Sequence, residues 1–139
     1  EDPIRPELDN FFRRSYGRKI YGVKYMGKIH AVMCFAYTNQ IPKNVDELDK
    51  FSHDAYLQSA LRDQNIGKIA IAYTVWSKKK GGGKLIVKEV FKKIKKSNHL
   101  NRLVTLSPLT EMATNFHSRN GAKLLQINET TQNFEYEII

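Results

Sequence analysis

Ile69-Ala-Ile-Ala-Tyr-Thr-Val-Trp76-Ser-Lys-Lys-Lys80-Gly-Gly-Gly83-Lys-Leu-Ile-Val-Lys-Glu-Val-Phe-Lys-Lys-Ile94 changes its period part-way along. Residues 69–76 are apolar, β-branched and aromatic, the pattern of a strand buried on both faces. Three glycines end that run. From Lys84 onward Ile86, Val87, Val90, Phe91 and Ile94 fall at helical spacing, with Lys84, Lys88, Lys92, Lys93 and Lys95 on the other side. A strand passing through a Gly- and Lys-rich turn straight into a helix is suited to hold an anion. The first N–H groups of a helix have no partner within it and carry partial positive charge. Glycine allows close approach to the backbone, and lysines attract from a distance.

Other uses of such a stretch differ in detail. A nucleotide P-loop requires Ser or Thr directly after Gly-Lys, but Leu85 follows Gly83-Lys84, so no hydroxyl stands there for a magnesium ion. A basic amphipathic helix can also lie on a membrane or along nucleic acid. Here the apolar stripe is what a helix packed on a sheet must bury. That leaves nucleic acid as a less favoured partner and a flexible loop beside a solvated lysine face as the plainest alternative.

Composition narrows the class. The chain has 139 residues and a net charge of +9, which suits a single domain burying about 70% of its unfolded surface. Nine lysines against one glutamate lie between Ser77 and Lys96, so almost the whole excess sits on the Gly turn and its helix. No apolar run approaches the roughly 20 residues of a membrane span, and no signal-peptide pattern opens the chain. Cys34 is the only cysteine. An intrachain disulfide is therefore excluded, which suits a reducing cytoplasm. The chain opens on Glu1 rather than Met, so an upstream element is expected to have been trimmed.

Along the chain, Pro6 with Leu8, Phe11 and Phe12 predicts a short helix to about Tyr16. Residues 19–25 and 29–38 read as antiparallel strands joined through Met26-Gly27. Residues 39–65 are polar, and Val45, Leu48, Phe51, Tyr56, Leu57 and Leu61 allow one or two helices capped by Asn44. Asp46, Glu47, Asp49 and Asp54 in that insertion read as solvated surface. Residues 102–106 form a short strand ending at Ser107-Pro108, and 110–120 a helix stopped by Asn120-Gly121. Strands at 124–127 and 133–138 close the chain. Such an order predicts an α+β fold, a central mixed and mostly antiparallel sheet flanked by helices. Tyr73 and Tyr136, in strands, read as core. His30, His53 and His99 have no metal spacing with one another or with Cys34, so no metal is expected.

The run Lys78-Lys-Lys-Gly81-Gly82-Gly83-Lys84 resembles the coenzyme A signature of the GNAT acyltransferase superfamily, which lies between the fourth strand and the next helix. Gly81 and Gly83 match it, while Lys78 stands where Gln or Arg is usual. Phe116-His117-x-x-x-Gly121-Ala122 is similar to the superfamily's late helix motif. The resemblance covers roughly residues 18–139, with the family's first strand weak or missing. It implies a single GNAT-like domain that takes acetyl-CoA or another acyl-CoA and passes the acyl group to an amine acceptor, as monomer or homodimer. Val75 and Trp76 would pair with pantetheine amides, Lys78, Lys80, Gly81, Gly82, Gly83 and Lys84 would hold the phosphates, and a backbone N–H would polarise the thioester.

Two segments, Thr105-Leu-Ser107-Pro108 and Asn115-Phe-His117-Ser-Arg-Asn120-Gly-Ala122, are similar to the catalytic segments of the malonyl-CoA decarboxylase family, itself GNAT-like. That likeness implies Ser107 and His117 as catalytic residues. A serine hydroxyl can hydrogen-bond a carboxylate or thioester oxygen, and an imidazole can move a proton. In GNAT acetyltransferases a tyrosine commonly stands at the position of His117 and protonates the leaving thiolate.

Overall fold

The computed structural model describes residues 19–25, 28–62, 67–77, 82–96 and 100–137. The expected helix at 6–16, the hairpin turn at Met26-Gly27 and the turn residues Lys78, Lys80 and Gly81 lie outside them. Among the described residues, seven strands and three helices follow in the order β1 (Lys19–Tyr25), β2 (Lys28–Thr38), α1 (Val45–Arg62), β3 (Ile69–Ser77), α2 (Gly82–Lys96), β4 (Arg102–Thr105), β5 (Ser107–Pro108), α3 (Glu111–Arg119), β6 (Lys123–Ile127) and β7 (Thr131–Tyr136). The sheet runs β1-β2-β3-β4-β7, with β5 also on β7 and β6 along the opposite edge of β7. Among the described pairs only β3 and β4 are parallel. The mixed, mostly antiparallel α+β architecture expected from the sequence is therefore present.

Alternation along the strands sorts the core into two layers. Ala31, Met33 and Phe35 of β2, Ala70 and Ala72 of β3, and Phe134 and Tyr136 of β7 pack under Ile86, Val87, Val90 and Ile94 of α2. Cys34, Ala36, Ile69, Ile71, Tyr73, Val104 and Leu106 pack on the other face with Leu48 of α1. The apolar stripe of α2 is thus committed to the sheet, and each fully buried side chain contributes about 1.5–3 kcal/mol relative to exposure. Its lysines 88, 92, 95 and 96 face solvent.

Several boundaries differ from the sequence expectation. The polar insertion forms one helix of 18 residues, started as expected by Asn44, whose Oδ1 accepts from the N–H of Glu47 at 2.8 Å. Glu47 reaches back to accept from the N–H of Lys43, so two free donors at the helix start are satisfied reciprocally. Helix α2 begins at Gly82 rather than at Lys84, because the first-turn N–H groups need no intrahelical acceptor and tolerate glycine. Strand β7 begins at Thr131, two residues before the apolar pattern signals it.

Two irregularities shape the upper part of the sheet. The register between β2 and β3 shifts so that Cys34 faces Thr74 while Phe35 faces Ala72, leaving Tyr73 as an inserted residue. This bulge puts Tyr73 and Thr74 on the α1 face in succession and returns Val75 to the α2 face. The other is at Ser107. Residues 103–104 and 107–108 meet β7 in one unbroken register, so Ser107-Pro108 resumes the strand rather than ending it.

Candidate functional site

Strands β3 and β4 run side by side only from Ile69↔Arg102 to Ala72↔Thr105. One more bond, from the N–H of Leu106 to the carbonyl of Ala72 at 2.9 Å, closes the pairing. Beyond it, Thr74–Ser77 is paired with β2 on one edge, and among the described residues no strand pairs the other edge of Tyr73–Ser77. A gap therefore opens between the outer half of β3 and Ser107-Pro108. Unpaired strand edges present N–H and C=O groups that an extended amide-bearing chain can meet. The same end of β3 leads, five residues later, to the glycines that start α2.

Thr105 holds β4 away from regular pairing at the floor of this gap. Its Oγ1 accepts the N–H of Phe134 at 3.0 Å and the hydroxyl of Ser107 at 2.9 Å. Its carbonyl accepts from Asn133 Nδ2 at 2.8 Å. Fully buried Asn133 also donates to the carbonyl of Pro42 at 3.0 Å and accepts from Gln126 and Asn128, each at 2.9 Å. All four hydrogen-bonding positions of its amide are filled, so this hub joins β4, β6, the β6–β7 turn and the approach to α1.

His117 is placed by the end of its helix. Thr110 caps the start of α3, accepting from the N–H of Ala113 at 3.1 Å. At the other end Gly121 takes φ +92°, its N–H reaches Ser118, and the N–H of Ala122 reaches the carbonyl of His117 at 3.0 Å. These two bonds make a Schellman turn, the physical content of the Phe116-His117-x-x-x-Gly121-Ala122 pattern. The imidazole is buried against Phe116, Phe134 and Tyr136, with ring centroids 5.1, 5.4 and 5.8 Å away. Nδ1 lies 2.7 Å from the hydroxyl of Tyr136. Burial lowers the pKa of His117 to about 4 and pushes that of Tyr136 up, so both are neutral at pH 7.

Of the residues singled out from the sequence, Val75 and Trp76 lie on the outer half of β3, opposite Met33 and Val32. Gly82, Gly83 and Lys84 form the first turn of α2. Ser107 and His117 share the α2/α3 face of the sheet: Ser107 pairs with Gln132, whose side chain bonds Thr114 of α3 at 2.8 Å. They do not bond each other; the Ser107 hydroxyl is engaged by Thr105 and Nδ1 of His117 by Tyr136. Sequence reasoning missed Thr105, Asn133 and the pairing of Tyr136 with His117. The consecutive amides Gln132-Asn133, running directly into Phe134, were the available signal for the hub.

Neither a protein-family model nor a curated protein matches the sequence. Solved structures do match the fold. The loading GNATL domain of CurA from Lyngbya majuscula superposes with a TM-score of 0.64 at 9% identity, over 86% of this chain and 76% of that one. The GphF GNAT-like decarboxylase, solved with isobutyryl-CoA, gives 0.65 at 10% identity, over 86% and 78%. The N-acetyltransferase PseH of Campylobacter jejuni, solved with acetyl coenzyme A, gives 0.56 at 14% identity, over 91% and 72%. At these identities the likeness speaks for architecture alone. Helices on both faces of a mixed sheet whose two parallel strands part beside a glycine-started helix: the chain has the GNAT fold.

Proposed function

We propose that this protein binds an acyl-CoA in the gap between β3 and β4 and transfers its acyl group to an amine. The observation that carries this is the edge of Tyr73–Ser77, which no strand pairs among the described residues and which leads toward the start of α2. Backbone groups near Val75 and Trp76 would meet the pantetheine amides as an added strand does. The N–H groups from Lys80 to Lys84, with the lysines around them, would hold the pyrophosphate. An amine would then attack the thioester, its carbonyl polarised by a backbone N–H. Ser107 and His117 are the candidate side chains at the floor of the gap. Two of the similar folds were solved with acyl-CoA ligands, which supports the ligand class.

Decarboxylation of a malonyl-type thioester is the second reading. It is favoured by the aromatic enclosure of His117, where a neutral imidazole suits an enolate oxygen better than a departing thiolate. Titration calorimetry with acetyl-CoA and CoA at low salt tests the shared step; absence of heat refutes both. Carbon dioxide released from malonyl-CoA without an amine selects decarboxylation, and thiol release that needs an added amine selects transfer.

A further inference from the structure

His117 and Tyr136 are buried, and among the described residues neither side chain makes a hydrogen bond other than the one between them. The 2.7 Å contact can be made in two ways. If Nδ1–H donated to the phenol oxygen, the buried Tyr136 proton would lack an acceptor, and a buried unmatched group is expensive. If the Tyr136 hydroxyl donates to Nδ1, both partners of the contact are matched and Nε2 carries the remaining N–H. We infer that Tyr136 is a positioning residue that locks His117 as the Nε2–H tautomer, making the imidazole a neutral hydrogen-bond donor to the carbonyl oxygen of a thioester.

The location supports this use. The imidazole tilts 32° over Phe134. Phe134 is level with Thr105, where pairing between β3 and β4 stops. His117 therefore sits at the floor of the gap, on the side where α2 begins. A neutral N–H there strengthens as charge develops on the carbonyl oxygen, in either acyl transfer or decarboxylation. Phe91, edge-on to Tyr136 at 5.4 Å, holds the phenol from its other side.

This inference rests on the acyl-CoA reading for its chemistry but is testable without it. Protein carrying nitrogen-15 histidine is examined by long-range proton–nitrogen correlation at pH 7, with the His117→Asn spectrum assigning the signal. The expected wild-type result is a proton on Nε2 and none on Nδ1. A proton on Nδ1, or rapid averaging of the two tautomers, overturns the inference whatever ligand the protein takes. In Tyr136→Phe the tautomer preference should be lost, and acyl-CoA turnover should fall about tenfold with acyl-CoA affinity unchanged, the effect of one hydrogen bond made in the transition state. Unchanged turnover in a folded Tyr136→Phe overturns the catalytic part. Should that variant not fold, the wild-type spectrum alone decides the tautomer. Failure of the wild type to bind acyl-CoA would sink the proposed function while leaving the tautomer result intact.

Discussion

Acid should destabilise this protein through His117, beginning near the ordinary imidazole value of 6.5. The folded-state pKa is about 4 against an ordinary 6.5, because burial penalises the imidazolium. Between those two values the unfolded chain binds the proton and the folded chain does not, so stability falls as pH falls. The loss begins near pH 6.5 and is complete near pH 4, and the gap between those values corresponds to about 3 kcal/mol. The assay is urea unfolding followed by the fluorescence of the only tryptophan, Trp76, at half-unit steps from pH 7.5 to 4.5. His117→Asn keeps a polar group where Nδ1 stands and removes the titration. Its stability should be lower at pH 7.5 but nearly flat across the range, so the two curves converge as acid is added. Parallel curves for wild type and His117→Asn would refute the reasoning, since the acid sensitivity would then belong to other groups. The pairing of Arg102 and Glu135 at 2.6 Å lowers the Glu135 pKa, so its contribution disappears only at the acid end, below the ordinary carboxylate value of 4.5.

Other expected outcomes test the surrounding architecture. Asn133→Leu leaves the buried carbonyls of Thr105 and Pro42 without donors, and at about 1–3 kcal/mol for each such group the unfolding free energy should drop by about 3 kcal/mol; a loss under about 1 kcal/mol would show that the amide hub matters little. Gly67→Ala should cost about 2–4 kcal/mol, measurable as a lower urea midpoint. Gly67 has φ +47°, and an added Cβ would lie 2.6 Å from the Thr38 nitrogen, so β2 or β3 must shift. At alkaline pH stability should fall above pH 10, because the Tyr136 phenol ionises in the unfolded chain but stays protonated in the fold. Ultraviolet titration compared between wild type and Tyr136→Phe should therefore show the Tyr136 phenol ionising only as the protein unfolds.

Periodicity carried most of the fold into view. The stretch from Ile69 to Ile94 states its strand and helix plainly, because burying a sheet on two faces demands an apolar run and packing one helix face demands a stripe. The Schellman turn was equally legible, since Gly121 is the residue that adopts φ +92° without strain. What did not show depends on partners distant in sequence. Thr105 in an apolar strand looks like an ordinary β-branched residue until Asn133 and Phe134 arrive from 28 and 29 positions away. Tyr136 looks like core, and is core, until its hydroxyl meets a helix 19 residues earlier. Ser107-Pro108 reads as a terminator because proline lacks a donor, yet at a strand's end that lost donor matters little.

The inserted residue at Tyr73 also constrains how this chain can diverge. Upstream of it, odd-numbered positions of β3 point toward α1; downstream, Val75 points the opposite way. The two halves are therefore out of phase by the one extra residue. Deleting Tyr73 would leave Ala72 opposite Phe35 and Thr74 opposite Cys34 with each side chain on its present face, whereas a deletion elsewhere in β3 would ask every later side chain to trade faces or the strand to slip past β2. The bulge is thus the place in β3 where one residue can be lost without reversing the faces, and libraries aimed at altering what lies above the gap should vary identities at 74–77 while keeping their number.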